Sequence, residues 1–383
     1  MAKIGILSMQ RIVNYGSFLQ AYGLKMLLED LGHTVEFVDY RVEKPLIESD
    51  KNKHTLIIGT KINKILEALK YDASFIHRIQ YILHKKHFAN KYFSILGLKP
   101  EMNYTPELDV LVVGSDEVFN CIQKNTNVGY SLELFGKDNR AKKLISYAAS
   151  FGNTTVDKLI NYNKDKEIGA LLEKFDAISV RDSNSGNIVK QLIDRVPQYN
   201  LDPVLAYDYM NKCKLIPDIT KKEKYIIIYA YAGRISESEA EWIRKYSQKN
   251  NFKIYSIGGV QKYADKFIDC SPFEVLSYFQ NCEAVITDTF HGTIFSIITR
   301  KQFATIIRKS EGENYGNEEK LTDLLNRVKL SSQIAKDMNS IEKILSCDID
   351  YSLVEQILNE ERKHTINYLE KQICIREDAE NGQ

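Results

Sequence analysis

Lys3-Ile4-Gly5-Ile6-Leu7-Ser8, a turn at Asn14-Tyr15-Gly16-Ser17, an amphipathic run over 18–31 and a second apolar run over 34–40 open the chain. The first run reads as a strand. In the amphipathic run, Leu19, Leu24, Leu27, Leu28 and Leu31 fall on one face of a helix with 3.6 residues per turn. Ser17 stands where an N-cap is expected and Gly32 where the chain must leave the helix. These forty residues are a βαβ unit, and two parallel strands joined this way take a right-handed crossover.

The same alternation continues outward. Strand signals recur at 109–114, 143–150 and 177–182, and a stretch rich in Lys, Asp and Pro at 208–224 marks a boundary. A second series follows, with strands expected at 225–232, 252–258, 267–270, 284–287 and 303–308, and helices at 236–250, 272–281, 319–329 and 351–373. The fold class is α/β. The expected division is an N-terminal domain over 1–207, a C-terminal domain over 225–330, and C-terminal helices over 331–383 that pack back on the first domain. Two such sheets in tandem make a central cleft, and ligands of open α/β sheets bind beyond the carboxyl ends of the strands.

Composition narrows the classes. A chain of 383 residues supports two cores without disulfides or structural metal. With 52 basic and 51 acidic residues, the net charge of +1 argues against a nucleic-acid-binding face. No apolar run reaches eighteen residues, and the opening residues lack a signal-peptide pattern, so a cytoplasmic protein is expected. The six cysteines form no CxxC and have no histidine at ligand spacing, which points to reduced thiols and to no metal site. One segment breaks the rhythm: 41–108 carries twelve Lys or Arg against seven Asp or Glu. It reads as a helical insertion in the first domain, with helices at 62–71 and 75–93. Its lysines make either a solvated face or a basic surface for peripheral contact with an anionic lipid or diphosphate; Lys85, Lys86 and Lys91 stand close together.

Four strand-end motifs carry chemistry. Asn14-Tyr15-Gly16-Ser17 leads into a helix N-terminus, where backbone N–H groups and the dipole favour an anion. Gly114-Ser115-Asp116-Glu117 places a hydroxyl and a carboxylate behind a glycine; Asp116 can orient or deprotonate a sugar hydroxyl, or cap a helix. In Ser179-Val180-Arg181-Asp182, Arg181 can hold a carboxylate or phosphate through its fork, or pair with Asp182. Thr287-Asp288-Thr289-Phe290-His291-Gly292-Thr293 sets a histidine among an acid, hydroxyls and backbone donors, the kind of surroundings that tune a functional imidazole.

With Leu19-Gln20-Ala21, Ser146-Tyr147-Ala148-Ala149-Ser150-Phe151-Gly152 and Leu201-Asp202-Pro203 added, the order of motifs over 3–330 resembles the polysaccharide pyruvyl transferase family. The resemblance implies two Rossmann-like domains in a glycosyltransferase-B-like architecture. It also implies transfer of a pyruvyl group from phosphoenolpyruvate (PEP) to two hydroxyls of one sugar, giving a cyclic ketal. The acceptor would be a surface polysaccharide or its lipid-linked oligosaccharide precursor, met at the inner face of the cell membrane, and no cofactor beyond the PEP donor is called for. His291 would be the general acid that protonates the PEP methylene, with Asp116 as second catalytic group. Arg181, Thr289, Gly292 and Thr293 would bind PEP on the C-terminal side, and Asn14, Tyr15, Gly16 and Ser115 would bind the acceptor. Some relatives carry an arginine where this chain has Thr289, so Arg308 or Lys320 is expected to supply the missing cation. Two other readings remain open: a nucleotide-sugar glycosyltransferase on the same architecture, and a non-catalytic partner in polysaccharide assembly.

Overall fold

The computed structural model describes residues 1–47, 71–123, 128–309 and 316–374. Among the described residues the strands form two parallel six-stranded sheets. The first contains β1 (Lys3–Leu7), β2 (Thr34–Val38), β3 (Glu107–Asp116), β4 (Arg140–Ala149), β5 (Ser179–Val180) and β6 (Gln198–Tyr199) in the order β2-β1-β3-β4-β5-β6. The second contains β7 (Tyr225–Tyr229), β8 (Lys253–Ile257), β9 (Lys266–Phe267), β10 (Ala284–Thr287), β11 (Phe303–Ile306) and β12 (Ile334–Ala335) in the order β12-β11-β10-β7-β8-β9. Every residue of β7 and β10 is buried, as parallel strands covered by helices on both faces must be. In each sheet the order reverses beside the first strand, between β1 and β3 and between β7 and β10. Both reversals open a crevice at the carboxyl ends.

The C-terminal domain extends beyond residue 330: Thr305 and Ile306 of β11 pair with Ile334 and Ala335 of β12, and a helix over Met338–Ser346 follows. A two-residue strand has no alternation to read, so the sequence pattern passes it by.

Helix α1 (Tyr15–Asp30) starts three residues earlier than its apolar stripe predicts. Its cap is Asn14, whose Oδ1 accepts from the N–H groups of Gly16 at 2.7 Å and Ser17 at 3.3 Å. Gly32 lies just past the end with φ of +83°. The helix is buried almost all round its first three turns, because the second domain covers the face that the leucine stripe leaves free. Tyr22 meets Phe273 of α5 (Pro272–Asn281) edge-on at 5.0 Å, Phe18 meets the same ring at 5.9 Å, and the Tyr15 hydroxyl donates to the Cys270 carbonyl at 3.0 Å.

The basic insertion is not a solvated appendage of the first domain. Helix α2 (Phe75–Leu96) buries Tyr81, His84, Phe88 and Leu96. Phe88 packs on Tyr15 and Phe18 of α1, while Tyr81 packs on Phe267 of β9. His84 Nδ1 lies 2.6 Å from Asp269 Oδ1. The helix thus ties the two domains together, and it turns Lys85 into the cleft, away from a common face with Lys86 and Lys91. The helix expected at 62–71 falls, but for Tyr71, outside the described residues.

Helix α8 (Tyr351–Ile373) also crosses the junction. The Tyr351 hydroxyl bonds the Lys301 carbonyl in the second domain, and at the far end the Tyr368 hydroxyl donates to the Ser146 carbonyl of β4 at 2.8 Å. No helix among the described residues is long and apolar enough to cross a membrane. Phe88 is 1% exposed with five aromatic rings, His84 included, within about 6 Å. Phe88→Ala is therefore expected to cost ~3–5 kcal/mol, read as a shift of the urea midpoint. A loss below ~1 kcal/mol would mean that α2 does not brace the junction.

Candidate active site

Loops after β1, β3, β7 and β10 converge on one interdomain cleft of about 600 Å³. The two crevices created by the sheet reversals therefore face each other. Asn14, Asp116, Glu117 and Arg181 line it from the first domain; Tyr231, Arg234, Asp288, His291 and Lys320 line it from the second.

Arg181, which follows β5, is the charge at the cleft floor, and its side chain is only 3% exposed. It donates from Nη1 to Asp202 Oδ2 at 2.9 Å and from Nη2 to Asp116 Oδ1 at 3.3 Å, and its guanidinium stacks 4.5 Å from the Phe290 ring centre. Burial pulls its pKa down, but Asp116 and Asp202 outweigh this, so the group is held above the ordinary arginine range. Arg181 does not pair with Asp182. That carboxylate caps helix α3 (Ser183–Ile193), accepting from Ser185 N–H at 2.8 Å and from the Ser150 hydroxyl at 2.6 Å. Two of the Arg181 donors are committed to carboxylates, so its fork is not an open anion clamp.

Asp202 stands in the Leu201-Asp202-Pro203 motif, but the sequence reading gave it no role at the site. It is 2% exposed, caps α4 (Pro203–Ala206) through Oδ1, and presents Oδ2 both to Arg181 and, at 3.8 Å, to His291 Nε2. Its signal in the sequence is Asp before Pro at a helix start, which reads simply as a cap. Asp116, in the left-handed region at φ +74°, also accepts from the Ser17 hydroxyl at 3.0 Å.

His291 lies in the first turn of α6 (Phe290–Ile298), and its ring rests on the other domain. A Cβ placed on Gly16 would fall 2.3 Å from the ring's Cγ and Nδ1. This contact explains the glycine: Gly16 makes room for the imidazole, and its N–H is already taken by Asn14. The side chain of His291 is 13% exposed, and Nε2 has no hydrogen-bond partner among the described residues. Burial lowers its pKa; Asp202 and Asp116 pull it up, and Arg181 and Lys320 push it down, with a net lowering. Burial thus favours the neutral imidazole.

The remaining donor-side calls divide. Thr289 is the N-cap of α6, accepting from Gly292 N–H at 2.9 Å. Thr293 is fully buried, its N–H goes to the Thr289 carbonyl at 3.2 Å, and its hydroxyl contacts Thr305. The N–H groups of Gly292 and Thr293 are therefore spent inside the helix, and those of Phe290 and His291 are the ones a capped first turn leaves open. Arg308 does not line the cleft: its two Nη atoms grip Glu239 at 2.6 and 3.1 Å, and its Nε reaches Asp288 at 3.3 Å. Lys320, in α7 (Glu318–Arg327), does line it, with Nζ 2.9 Å from Glu117 Oε1.

On the acceptor side, Asn14 lines the cleft and donates across it from Nδ2 to the Tyr231 hydroxyl at 3.1 Å. Tyr15 and Ser115 do not line it. Tyr15 is 2% exposed in the domain junction, and Ser115 is wholly buried with its hydroxyl on the Ala148 carbonyl at 3.1 Å. Adjacency in sequence misled here, since successive residues at a strand or helix end point in different directions. Arg234 and Lys85 were not marked as site residues by the motifs; nothing local to either tells which loop or helix reaches the cleft.

Two outcomes test this geometry. A histidine with a lowered folded pKa leaves stability intact above its unfolded value of ~6.5 and takes it away as pH falls below that. The urea midpoint of His291→Asn should therefore fall less between pH 7.5 and 5.5 than that of the wild type; equal slopes would contradict a buried neutral imidazole. Gly16→Ala should displace the ring and reduce turnover at least tenfold while the chain still folds, and wild-type turnover would show that the contact does not position His291.

A profile of the family described as polysaccharide pyruvyl transferase matches residues 14–310. No curated protein sequence matches the chain. Solved structures similar to it include the MnaA–UDP co-structure from S. aureus, at 10% identity and TM-score 0.47, covering 97% of this chain and 96% of that one. The UDP-GlcNAc 2-epimerase of Methanocaldococcus jannaschii in complex with UDP-GlcNAc and UDP has 12% identity and TM-score 0.44, covering 96% and 99%. The glycosyltransferase SnogD from Streptomyces nogalater has 10% identity and TM-score 0.41, covering 97% and 99%. With the profile running from Asn14 through β11 and covering most of the chain, the chain belongs to the polysaccharide pyruvyl transferase family.

Proposed function

We propose that the protein transfers the pyruvyl group of PEP to two hydroxyls of one sugar, forming a cyclic ketal and releasing phosphate. The observation that carries this reading is His291 Nε2, without a hydrogen-bond partner among the described residues and 3.8 Å from the Asp202 oxygen that also takes Arg181, a guanidinium shared with Asp116. Arg181 with Asp116 and Asp202 sums to one negative charge, which a proton on His291 balances. Burial opposes that proton, and a polyanionic donor raises the imidazole pKa and favours it.

The steps balance with these groups alone. His291 gives its proton to the PEP methylene carbon, and positive charge develops at C2. The first sugar hydroxyl bonds to C2 and its proton passes to a cleft base, Asp116 or the imidazole. The bond from C2 to the phosphate oxygen then breaks. The second hydroxyl closes the ring, and its proton leaves with phosphate. Lys320 and the N–H groups of Phe290 and His291 are placed to answer the donor's charge. The acceptor in this reading is a sugar of a surface polysaccharide or of its lipid-linked precursor, reached at the cytoplasmic face of the membrane.

The test is mass spectrometry of a lipid-linked oligosaccharide pool incubated with enzyme and PEP, with phosphate measured in parallel. A gain of one pyruvyl ketal per acceptor with stoichiometric phosphate is expected, and His291→Asn should abolish both. PEP at a hundred times its Kd should also stabilise the fold by ~2.7 kcal/mol. Stabilisation by a nucleotide-sugar and not by PEP would overturn the reading in favour of glycosyl transfer. Phosphate release near the wild-type rate in His291→Asn would remove the general-acid role.

A further inference from the structure

The cations around the cleft differ in how far their charge is already answered. Arg181 is shared by two carboxylates, Lys320 holds Glu117, and the paired nitrogens of Arg308 hold Glu239. Arg234 and Lys85 are different. Arg234 approaches Asp288 with Nε 3.4 Å from Oδ2, and its guanidinium lies 5.5 Å from the Tyr231 ring centre. Its two Nη groups, four N–H donors, have no carboxylate partner among the described residues. Asp288 is fully buried behind it and also takes Arg308 Nε at 3.3 Å, so Arg234 is not its sole counter-charge.

Lys85 reaches the same cleft from α2, a helix of 22 residues without a single Asp or Glu. Its ammonium is held 4.5 Å from the Tyr81 ring centre and 5.9 Å from that of Tyr71. Aromatic faces position a cation but leave its charge in place, and no carboxylate pairs with Lys85 among the described residues. A planar fork with open donors and an uncompensated ammonium, lining one cleft from two different elements, match a phosphate group: the fork binds two oxygens and the ammonium adds a point charge.

We propose that Arg234 and Lys85 form a phosphate subsite in the outer cleft, separate from the Arg181–His291 floor. This goes beyond the reaction proposed above, because the site binds a phosphate whichever substrate carries it. Two sources fit the chemistry: the phosphate of the donor, or the diphosphate of a sugar acceptor linked through one.

The experiment is calorimetric titration of the full chain with inorganic phosphate and with pyrophosphate at low salt, without turnover. Wild type should bind. Lys85→Gln and Arg234→Gln should each weaken binding about tenfold or more, the loss expected for one charged hydrogen-bonding partner. Lys86→Gln, one residue along the same helix and outside the cleft, should not change it. Lys85 is exposed, so its variant tests the site even if Arg234→Gln unsettles the Asp288 cluster. A wild type that binds neither anion, or a Lys85→Gln variant that binds both as tightly as wild type, overturns the proposal. Steady-state arms then separate the sources: a rise in KM for PEP alone assigns the subsite to the donor, and a rise in KM for a diphosphate-linked acceptor alone assigns it to the acceptor. Both KM values unchanged would overturn it. Because the phosphate titration needs no reaction, it can succeed where the ketal assay fails, and the reverse.

Discussion

A guanidinium with 3% of its side chain exposed must be surrounded by counter-charge, and the junction of this protein is organised around meeting that need at Arg181. Asp116 comes from the end of β3 and Asp202 from the start of α4, and both are held by other bonds while they pair with the arginine. Two carboxylates on one cation leave a residual negative charge. His291, arriving from the second domain, stands where that charge is felt. Removing either carboxylate would leave a buried charge without its partner, a loss typically of ~3–5 kcal/mol. The same network therefore sets both the integrity of the cleft floor and the proton affinity of the imidazole above it.

The imidazole is fixed as much by shape as by charge. Its ring lies on the backbone of Gly16, at a distance that no side chain at that position would permit. The capped turn of α1 is thus a platform for a residue of the other domain. Around this contact the domains are held by α1 packed against Phe273, by α2 braced between Phe88 and Tyr81, and by α8 bonded at its two ends to opposite domains. A cleft between separately folded sheets needs such ties if groups from both are to stay within bonding distance.

Much of this was legible locally. The βαβ opening, the fully buried strands β7 and β10, and the 351–373 helix follow from hydrophobic period and length. The motif loops that end β1, β3 and β10 do converge, because all sit at carboxyl ends of parallel strands. Individual site residues were less legible. Gly292, Thr293, Tyr15 and Ser115 belong to the right loops, yet their polar groups are consumed by the helix, the core or the domain junction.

What the sequence determined by itself is the alternation of strands and helices, and the turns that free a strand end for chemistry, since these depend on neighbours a few residues apart. What only the tertiary structure decided is which charges cancel. Arg181 and Asp202 lie 21 residues apart and Arg308 and Glu239 lie 69 apart, and their pairing removes from play cations that composition alone would count as available. By the same rule, Lys85 reads in sequence as one of three neighbouring lysines, on a solvated face or on a basic surface for an anionic lipid or diphosphate. Docking of α2 between the domains makes it a cleft residue, because the buried face of a helix is chosen by what covers it.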